Sequence, residues 1–486
     1  MMITKRFTVD NDGMKIQGIS YLCNNSTDFF TNIDDQKSTN IDDYKSSNHD
    51  DLRQVKKSPA IIMSHGYLSN LHNFEYFATQ FAMIGYNVFT FNFCCGSDET
   101  DPELMSDGTT TNLCIEGEIS DLITVYNYVS TRDYVKNDEI ILWGESQGAF
   151  VSGLSAARLQ EKISKLVMIF PAVCIPDHAR RGTLGGASYD PKNPPELIYT
   201  ERAMLSKVFV DDVKDMDAYS ELAKYKGATL LIQGTCDSIV VPEYQYIVKK
   251  EFDLTDNKEN ENAQITNANH RLKLQMVRGM DHYTGGEHKE ALKDSIRYFI
   301  EGKEEIFSFR IIVTNVVVTD DSGSILSQDV HFTGYCESDL FTGAIVQGVD
   351  HQKYIQNIKN NNQNSNCNKI NIQELTHTEK IINQEPTDKV ELNIQELTDT
   401  VEPDNKNESA TCIEMRAEYT FSGVDADGKP CKLNVCNIKR DGEWRPTIKT
   451  DSKALSWIND AKLYAIVEPG TKGPTIRIYK DPRSFA

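Results

Sequence analysis

An apolar run, Ile140-Ile141-Leu142-Trp143, passes directly into Gly144-Glu145-Ser146-Gln147-Gly148 and then into a small-residue stretch, Ala149-Phe150-Val151-Ser152-Gly153-Leu154-Ser155-Ala156-Ala157. No other feature of the chain limits its fold as strongly. A strand that ends on Gly-x-Ser-x-Gly and opens a helix predicts a sharp elbow, with the serine hydroxyl held out above the sheet edge at the helix N-terminus. The flanking glycines fit that elbow because side chains there would strike the adjoining strand and helix.

The sequence around the elbow reads as a parallel sheet with crossover helices. Residues 59–300 alternate short apolar runs with amphipathic stretches: Ala60-Ile61-Ile62-Met63, then Phe74, Phe77, Phe81 and Ile84 at helical spacing. Val88 to Phe93 predicts a second strand, followed by a helix with Ile115, Ile119, Leu122, Tyr126 and Val129 on one face. Leu166 to Ile169, Thr229 to Ile232 and Leu272 to Val277 continue the series. From about residue 304 the period changes to two, as in Met415, Ala417, Tyr419 and Phe421, and Asp427-Gly428 supplies a hairpin turn. Phe309 to Val318 and Thr475 to Tyr479 are further β-rich runs.

With 486 residues the chain is too long for one ordinary core. The reading is an α/β domain over 1–302 followed by a smaller all-β, barrel-like domain over 303–486. Three polar segments without hydrophobic periodicity, about 24–58, 251–270 and 351–410, read as insertions. The first and third carry short internal echoes, such as Asn371-Ile372-Gln373-Glu374-Leu375-Thr376 and Asn393-Ile394-Gln395-Glu396-Leu397-Thr398, too few for a stacking solenoid.

A serine hydroxyl is a weak nucleophile at neutral pH, so a base must take its proton and a carboxylate must orient that base. In an elbow fold the partners follow in the order serine, acid, histidine, each in a loop after a later strand. Asp237 comes after Leu230-Leu231-Ile232, and His282 after Leu272 to Val277. Asp281, adjacent to His282, would have to fold back to reach the ring. Asp211, Asp212 and Asp217 lie before the strand that precedes Asp237. For the oxyanion the candidates are the backbone N–H groups of Gln147 and Tyr67, the latter in Ser64-His65-Gly66-Tyr67-Leu68-Ser69-Asn70, where Gly66 allows close approach of substrate. His65 and Gly66 are further candidates for touching substrate.

On these motifs residues 1–300 resemble the α/β-hydrolase superfamily, and within it the bacterial cinnamoyl and feruloyl esterases. The narrower likeness lies in Phe170-Pro171-Ala172, Asp177-His178-Ala179-Arg180-Arg181-Gly182, Gly186-Ala187-Ser188-Tyr189-Asp190-Pro191, and Ala218-Tyr219 to Lys224-Tyr225. The resemblance implies a mostly parallel sheet and a lid over about 174–226 that covers the acyl group. Within that lid Asp177 matches an acid able to accept a hydrogen bond from a phenolic hydroxyl. Where the family has a companion lid tyrosine, Ser206-Lys207-Val208-Phe209-Val210 offers Phe209, and the basic, glycine-rich loop after the second strand is replaced by Phe93-Cys94-Cys95-Gly96-Ser97. The C-terminal part resembles an uncharacterised bacterial family of small β-barrels in Met415 to Phe421, Asp425 to Gly428 and Ser456-Trp457-Ile458-Asn459.

The expected activity is hydrolysis of short acyl, aryl or hydroxycinnamoyl esters through an acyl-enzyme. The alternatives are a serine peptidase of the prolyl-oligopeptidase-like or aminopeptidase type, and a non-catalytic ligand-binding or scaffold protein. No metal or organic cofactor is expected: Cys94 and Cys95 are adjacent, and Cys431 and Cys436 have no His or Cys cluster beside them. Trp444 and Trp457 are candidates for a barrel core or a ligand surface. Fifty-one basic against 72 acidic residues give a net charge of −21, which disfavours nucleic acid and anionic membranes. About half of that charge sits in the three insertions. The N-terminus, Met1 to Phe7, lacks an apolar signal core, so a reducing cytoplasm and free thiols are expected. Self-association through the hydrolase or barrel domain is compatible with this reading.

Overall fold

A computed structural model describes residues 2–24, 56–263, 271–321, 325–338, 340–355, 411–440, 442–470 and 473–481. The internal echoes of the first and third insertions lie outside these residues. The chain divides into two compact units, one of Met1–Ser308 with Ile466–Ala486 and the other of Phe309–Ala465.

The first unit opens with a hairpin, β1 (Ile3–Asn11) and β2 (Met14–Leu22). Then come β3 (Ser58–Ser64), α1 (Glu75–Met83), β4 (Asn87–Phe91), α2 (Ile115–Ser130), β5 (Val135–Glu145), α3 (Gln147–Leu159) and β6 (Lys165–Ile169). The segment in the lid position holds α4 (Ile175–Arg181), two small hairpins, β7 (Thr183–Leu184) with β8 (Ala187–Ser188) and β9 (Leu197–Tyr199) with β10 (Met204–Ser206), then α5 (Lys207–Val213) and α6 (Ala218–Leu222). The domain closes with β11 (Ala228–Gly234), α7 (Glu243–Ala263), β12 (Leu272–Val277) and α8 (Lys289–Ile300). The eight strands of the main sheet run in the order β1-β2-β4-β3-β5-β6-β11-β12, parallel from β4 onward.

Strand alternation explains the layers. On one face Ile61, Met63, Trp143, Val167, Leu230 and Ile232 pack under Phe74, Phe77, Phe81, Leu292 and Ile296; on the other, Ala60, Ile62, Leu142, Leu166 and Leu231 meet Ile115, Ile119, Leu122 and Phe150. Because both faces are covered, these strands read as continuous apolar runs rather than alternating ones. Trp143, completely buried, holds the Phe77 and Phe81 rings at 5.1 and 5.4 Å.

Part of the polar segment 251–270 is helical, since α7 continues to Ala263. Val248 and Phe252, one turn apart, are buried against the sheet, and Lys249 pairs with Asp253 on the same helix. Two buried apolar anchors and an i,i+4 ion pair tie the helix to the sheet, although its residues from Thr255 to Asn262 are all polar.

In the C-terminal part, β13 (Glu304–Asp321), β14 (Ile325–Glu337), β15 (Phe341–Ile355), β16 (Thr411–Asp425), β17 (Pro430–Arg440), β18 (Glu443–Thr450), β19 (Leu463–Glu468) and β20 (Thr475–Lys480) form a closed barrel in chain order. Inside it Phe309, Phe332, Phe341, Tyr419 and Phe421 meet ring to ring at 4.9–5.9 Å. The turn between β16 and β17 is Asp427-Gly428, with Gly428 at φ 72°. Cys431 is buried and Cys436 half-buried on β17, an odd number of residues apart and so on opposite faces. Trp444 and Trp457 are half-buried rather than part of the core. Among the described residues no helix is long and apolar enough to cross a membrane.

Candidate active site

The elbow at the end of β5 is built by steric exclusion. Ser146 has φ 55° and ψ −120°, outside the regions ordinary L-residues prefer. A Cβ on Gly144 would lie 2.2 Å from the Gly148 carbonyl oxygen, and one on Gly148 would lie 2.2 Å from the Ser64 carbonyl oxygen, so neither position admits a side chain. The Ser146 backbone is pinned on both sides: its N–H donates to Ile169 at 3.0 Å, and its carbonyl accepts from Ala149, Phe150 and Ala172 at 3.0–3.1 Å.

Three long-range loops bring the sequence candidates together. His282, after β12, places Nε2 2.9 Å from Ser146 Oγ and Nδ1 2.7 Å from Asp237 Oδ2. Asp237, after β11, is buried. Its Oδ1 accepts from the Ile239 and Val240 amides, both at 2.9 Å, and its Oδ2 also accepts from Gln233 Nε2 at 3.1 Å. Burial pushes the Asp237 carboxyl up, but the His282 hydrogen bond, the Val240 amide and Gln233 outweigh it and hold the group below its ordinary value. An ionised Asp237 can only accept, so Nδ1 of His282 carries the proton and Nε2 is left as acceptor for the serine hydroxyl.

The competing acids have other work. Asp281 is exposed. Asp211 pairs with Lys207 and Lys214, Asp212 accepts the Ile115 and Glu116 amides at the start of α2, and Asp217 caps α6.

Gln147, the first residue of α3, has an N–H without an intrahelical acceptor, as every helix start does. Its side chain is buried, with Nε2 2.9 Å from both carboxyl oxygens of Glu118 on α2. Gly66 lies against the nucleophile: a Cβ there would come within 3.2 Å of Ser146 Cβ. His65 is only 1% exposed and both ring nitrogens are engaged by backbone. Nε2 accepts from the Phe93 N–H at 3.1 Å, so Nδ1 is protonated and donates to the Gly66 carbonyl at 2.8 Å. Burial drives its pKa down to about 4, which keeps the ring neutral. His65 thus ties the Gly66 loop to the chain after β4 and does not face substrate.

Asp177 is likewise occupied. Arg180 is ion-paired with Oδ1 and Tyr219 OH lies 3.2 Å from Oδ2. Tyr219, not Phe209, is the tyrosine beside this acid; Phe209 is buried in the core. The hairpin β9–β10 grips the loop after β3. Arg202 donates to the Tyr67 carbonyl at 2.9 Å and to the Leu68 carbonyl, and Tyr67 OH lies 3.2 Å from Thr200 Oγ1.

Three groups at the site, Phe170, Glu145 and Glu118, were given no role by the sequence. Phe170, at φ 38°, holds its ring 4.2 Å from that of His282, tilted by 40°. In the sequence it stands only as the first residue of the Phe170-Pro171-Ala172 likeness, directly after β6. Glu145 precedes Ser146 and is buried, bonded to Thr284, two residues beyond His282; its Oε1 has no partner among the described residues. Burial raises Glu145 and Glu118 each to about 8, despite the opposing bonds from Thr284 and Gln147, so both carboxyls are protonated at neutral pH. Neither of these two carboxyls therefore carries a negative charge near Ser146 at neutral pH.

The parallel sheet, the elbow and the partners after β11 and β12 define an α/β-hydrolase fold. Residues 59–183 match the family described as alpha/beta hydrolase fold. No curated protein matches the chain. Among solved structures, Est1E from Butyrivibrio proteoclasticus with ferulic acid bound is similar at 20% identity and TM-score 0.47, over 60% of this chain and 97% of that one. A monoacylglycerol lipase from Paleococcus ferrophilus is similar at 16% identity and TM-score 0.36, over 50% and 96% respectively. A putative dipeptidyl aminopeptidase IV from Bacteroides ovatus is similar at 15% identity and TM-score 0.38, over 62% and 36%.

Proposed function

We propose that the protein is a serine carboxylic ester hydrolase working through an acyl-enzyme. The observation that carries this is the single row of atoms from Asp237 Oδ2 through the His282 ring to Ser146 Oγ, with separations of 2.7 and 2.9 Å. Nε2 accepts the hydroxyl proton as Oγ attacks the ester carbonyl, and returns it to the departing alkoxide. The Gln147 and Tyr67 amides receive the oxyanion. Water, deprotonated by the same Nε2, then releases the acid and restores Ser146.

The acyl class we propose is short acyl, aryl or hydroxycinnamoyl, following the lid resemblance. Exposed apolar side chains on the hairpin over the oxyanion loop, Leu197, Tyr199 and Met204, and beside the triad, Ile239 and Tyr283, favour an apolar acyl group over a charged one. The test is a panel of ethyl ferulate, short aliphatic p-nitrophenyl esters and an aminoacyl anilide, run with fluorophosphonate labelling. The wild type should cleave esters and take the label, and Ser146→Ala should do neither. Turnover retained by Ser146→Ala, or cleavage of the anilide alone, would refute the assignment.

A further inference from the structure

We infer that the barrel carries a self-association edge: the outer part of β13 pairs antiparallel with the same strand of a second copy of this chain. Strand β20 has six residues, and Lys480 near its end pairs with Glu304 at the start of β13, so β20 reaches only the first part of that long strand. Beyond it, among the described residues, the strand paired with β13 is β14, through Asp320 against Ser327 and Asp321 against Leu326. Residues 312–321 are all exposed, so both faces of this stretch meet solvent. Five of them are apolar: Ile312, Val313, Val316, Val317 and Val318, each 41–50% exposed. An apolar, β-branched edge of this length is a template for strand addition.

The occupant is argued from the order of residues along the edge. A two-fold axis perpendicular to a sheet makes one residue pair with its own copy and sets the rest. Centred on Asn315, the register brings Ile312 opposite Val318 and Val313 opposite Val317, and it ends at both sides on Arg310 opposite Asp320. Centred on Val316, the same strand would place Ile312 against Asp320. Opposite charges at the ends and apolar pairs between them select the Asn315 register. Arg310 and Asp320 are both exposed and available for that pairing. Register shifts between Val313 and Asn315 and between Val318 and Asp320 add local twist to the ribbon, limiting it to a short pairing rather than an extending sheet. One strand pair from each chain predicts a reversible dimer, not an obligate one.

The test is sedimentation equilibrium of the full chain over about 1–100 μM, with ester hydrolysis and melting as fold controls. The wild type should show a monomer–dimer equilibrium in this range. Val317→Lys, at an exposed position, should weaken it at least tenfold with both controls unchanged. Arg310→Asp and Asp320→Arg should each weaken it, and the two together should restore association to within about threefold of wild type. A wild type monomeric throughout the range overturns the inference, including the case in which the chain's own segment 356–410 covers the edge. A dimer that persists in Val317→Lys, or is not restored by the charge swap, overturns it as well.

Discussion

Glu145→Gln isolates a buried carboxyl next to the nucleophile. Glu145 has an ordinary value of 4.5 and is raised to about 8 by burial, against the weaker pull of Thr284. Between those values the unfolded chain is ionised and the folded chain is protonated, so the folded state binds more protons and stability falls as pH rises. Below 4.5 both states are protonated and the loss is absent; above 8 both are ionised and it is complete. Linkage puts the loss at about 1 kcal/mol at pH 5, about 3 at pH 7 and about 4 at pH 8. The glutamine side chain has nearly the same shape and cannot ionise. The variant's advantage over wild type should therefore grow by about 3 kcal/mol between pH 5 and pH 8. Glu118 titrates alike in both proteins and cancels from the difference. The assay is urea unfolding at pH 5, 6, 7 and 8. Trp143 fluorescence in a Trp444→Phe, Trp457→Phe background serves as the reporter, because this tryptophan is buried against Phe74, Phe77 and Phe81 in the hydrolase core. A difference that stays flat with pH to within about 1 kcal/mol would mean that Glu145 is ionised in the folded protein, and the reasoning would fail.

Asp237→Asn should keep the fold and lower kcat by roughly 10⁴, because an amide in that place can present its NH₂ to His282 and favour the wrong tautomer; steady-state kinetics on a p-nitrophenyl ester measures it. Gly148→Ala should yield little folded protein, since the added Cβ meets the Ser64 and His65 carbonyl oxygens at 2.2 and 2.3 Å; soluble yield and melting temperature test this, and a variant as stable as wild type would contradict the elbow geometry. If the Tyr67 amide receives the oxyanion as proposed, Arg202→Ala should reduce kcat about tenfold with melting unchanged, because it frees the Tyr67 and Leu68 carbonyls without opening the core. Tyr219→Phe removes one partner of Asp177; if the acyl group is phenolic, KM for ethyl ferulate should shift while KM for an aliphatic ester does not.

Legibility in the sequence followed the range of the forces involved. The elbow was readable because its constraint is steric and local: five consecutive residues between a strand and a helix. Asp237 and His282 were readable because parallel strands deliver the ends of successive loops to one edge of the sheet, so chain order stands in for position. The helix continuing into 251–263 was not, because Val248 and Phe252 are two anchors in a run whose composition is otherwise that of a solvated loop. Asp177 was matched to a phenol-binding acid, yet its carboxylate is held by Arg180 and Tyr219, neighbours that only packing of the lid elements brings to it.

By itself, the sequence determined the α/β order, the Gly-x-Ser-x-Gly turn and which three residues would line up, because backbone sterics and strand period are written in neighbouring residues. Only the tertiary structure decided the electrostatic state of the site. Nothing in the chain distinguishes Glu145 and Glu118 from solvated acids, and His65 was a candidate for touching substrate. Their protonation and partners come from burial among segments far apart in sequence, and desolvation is a property of what surrounds a group in space.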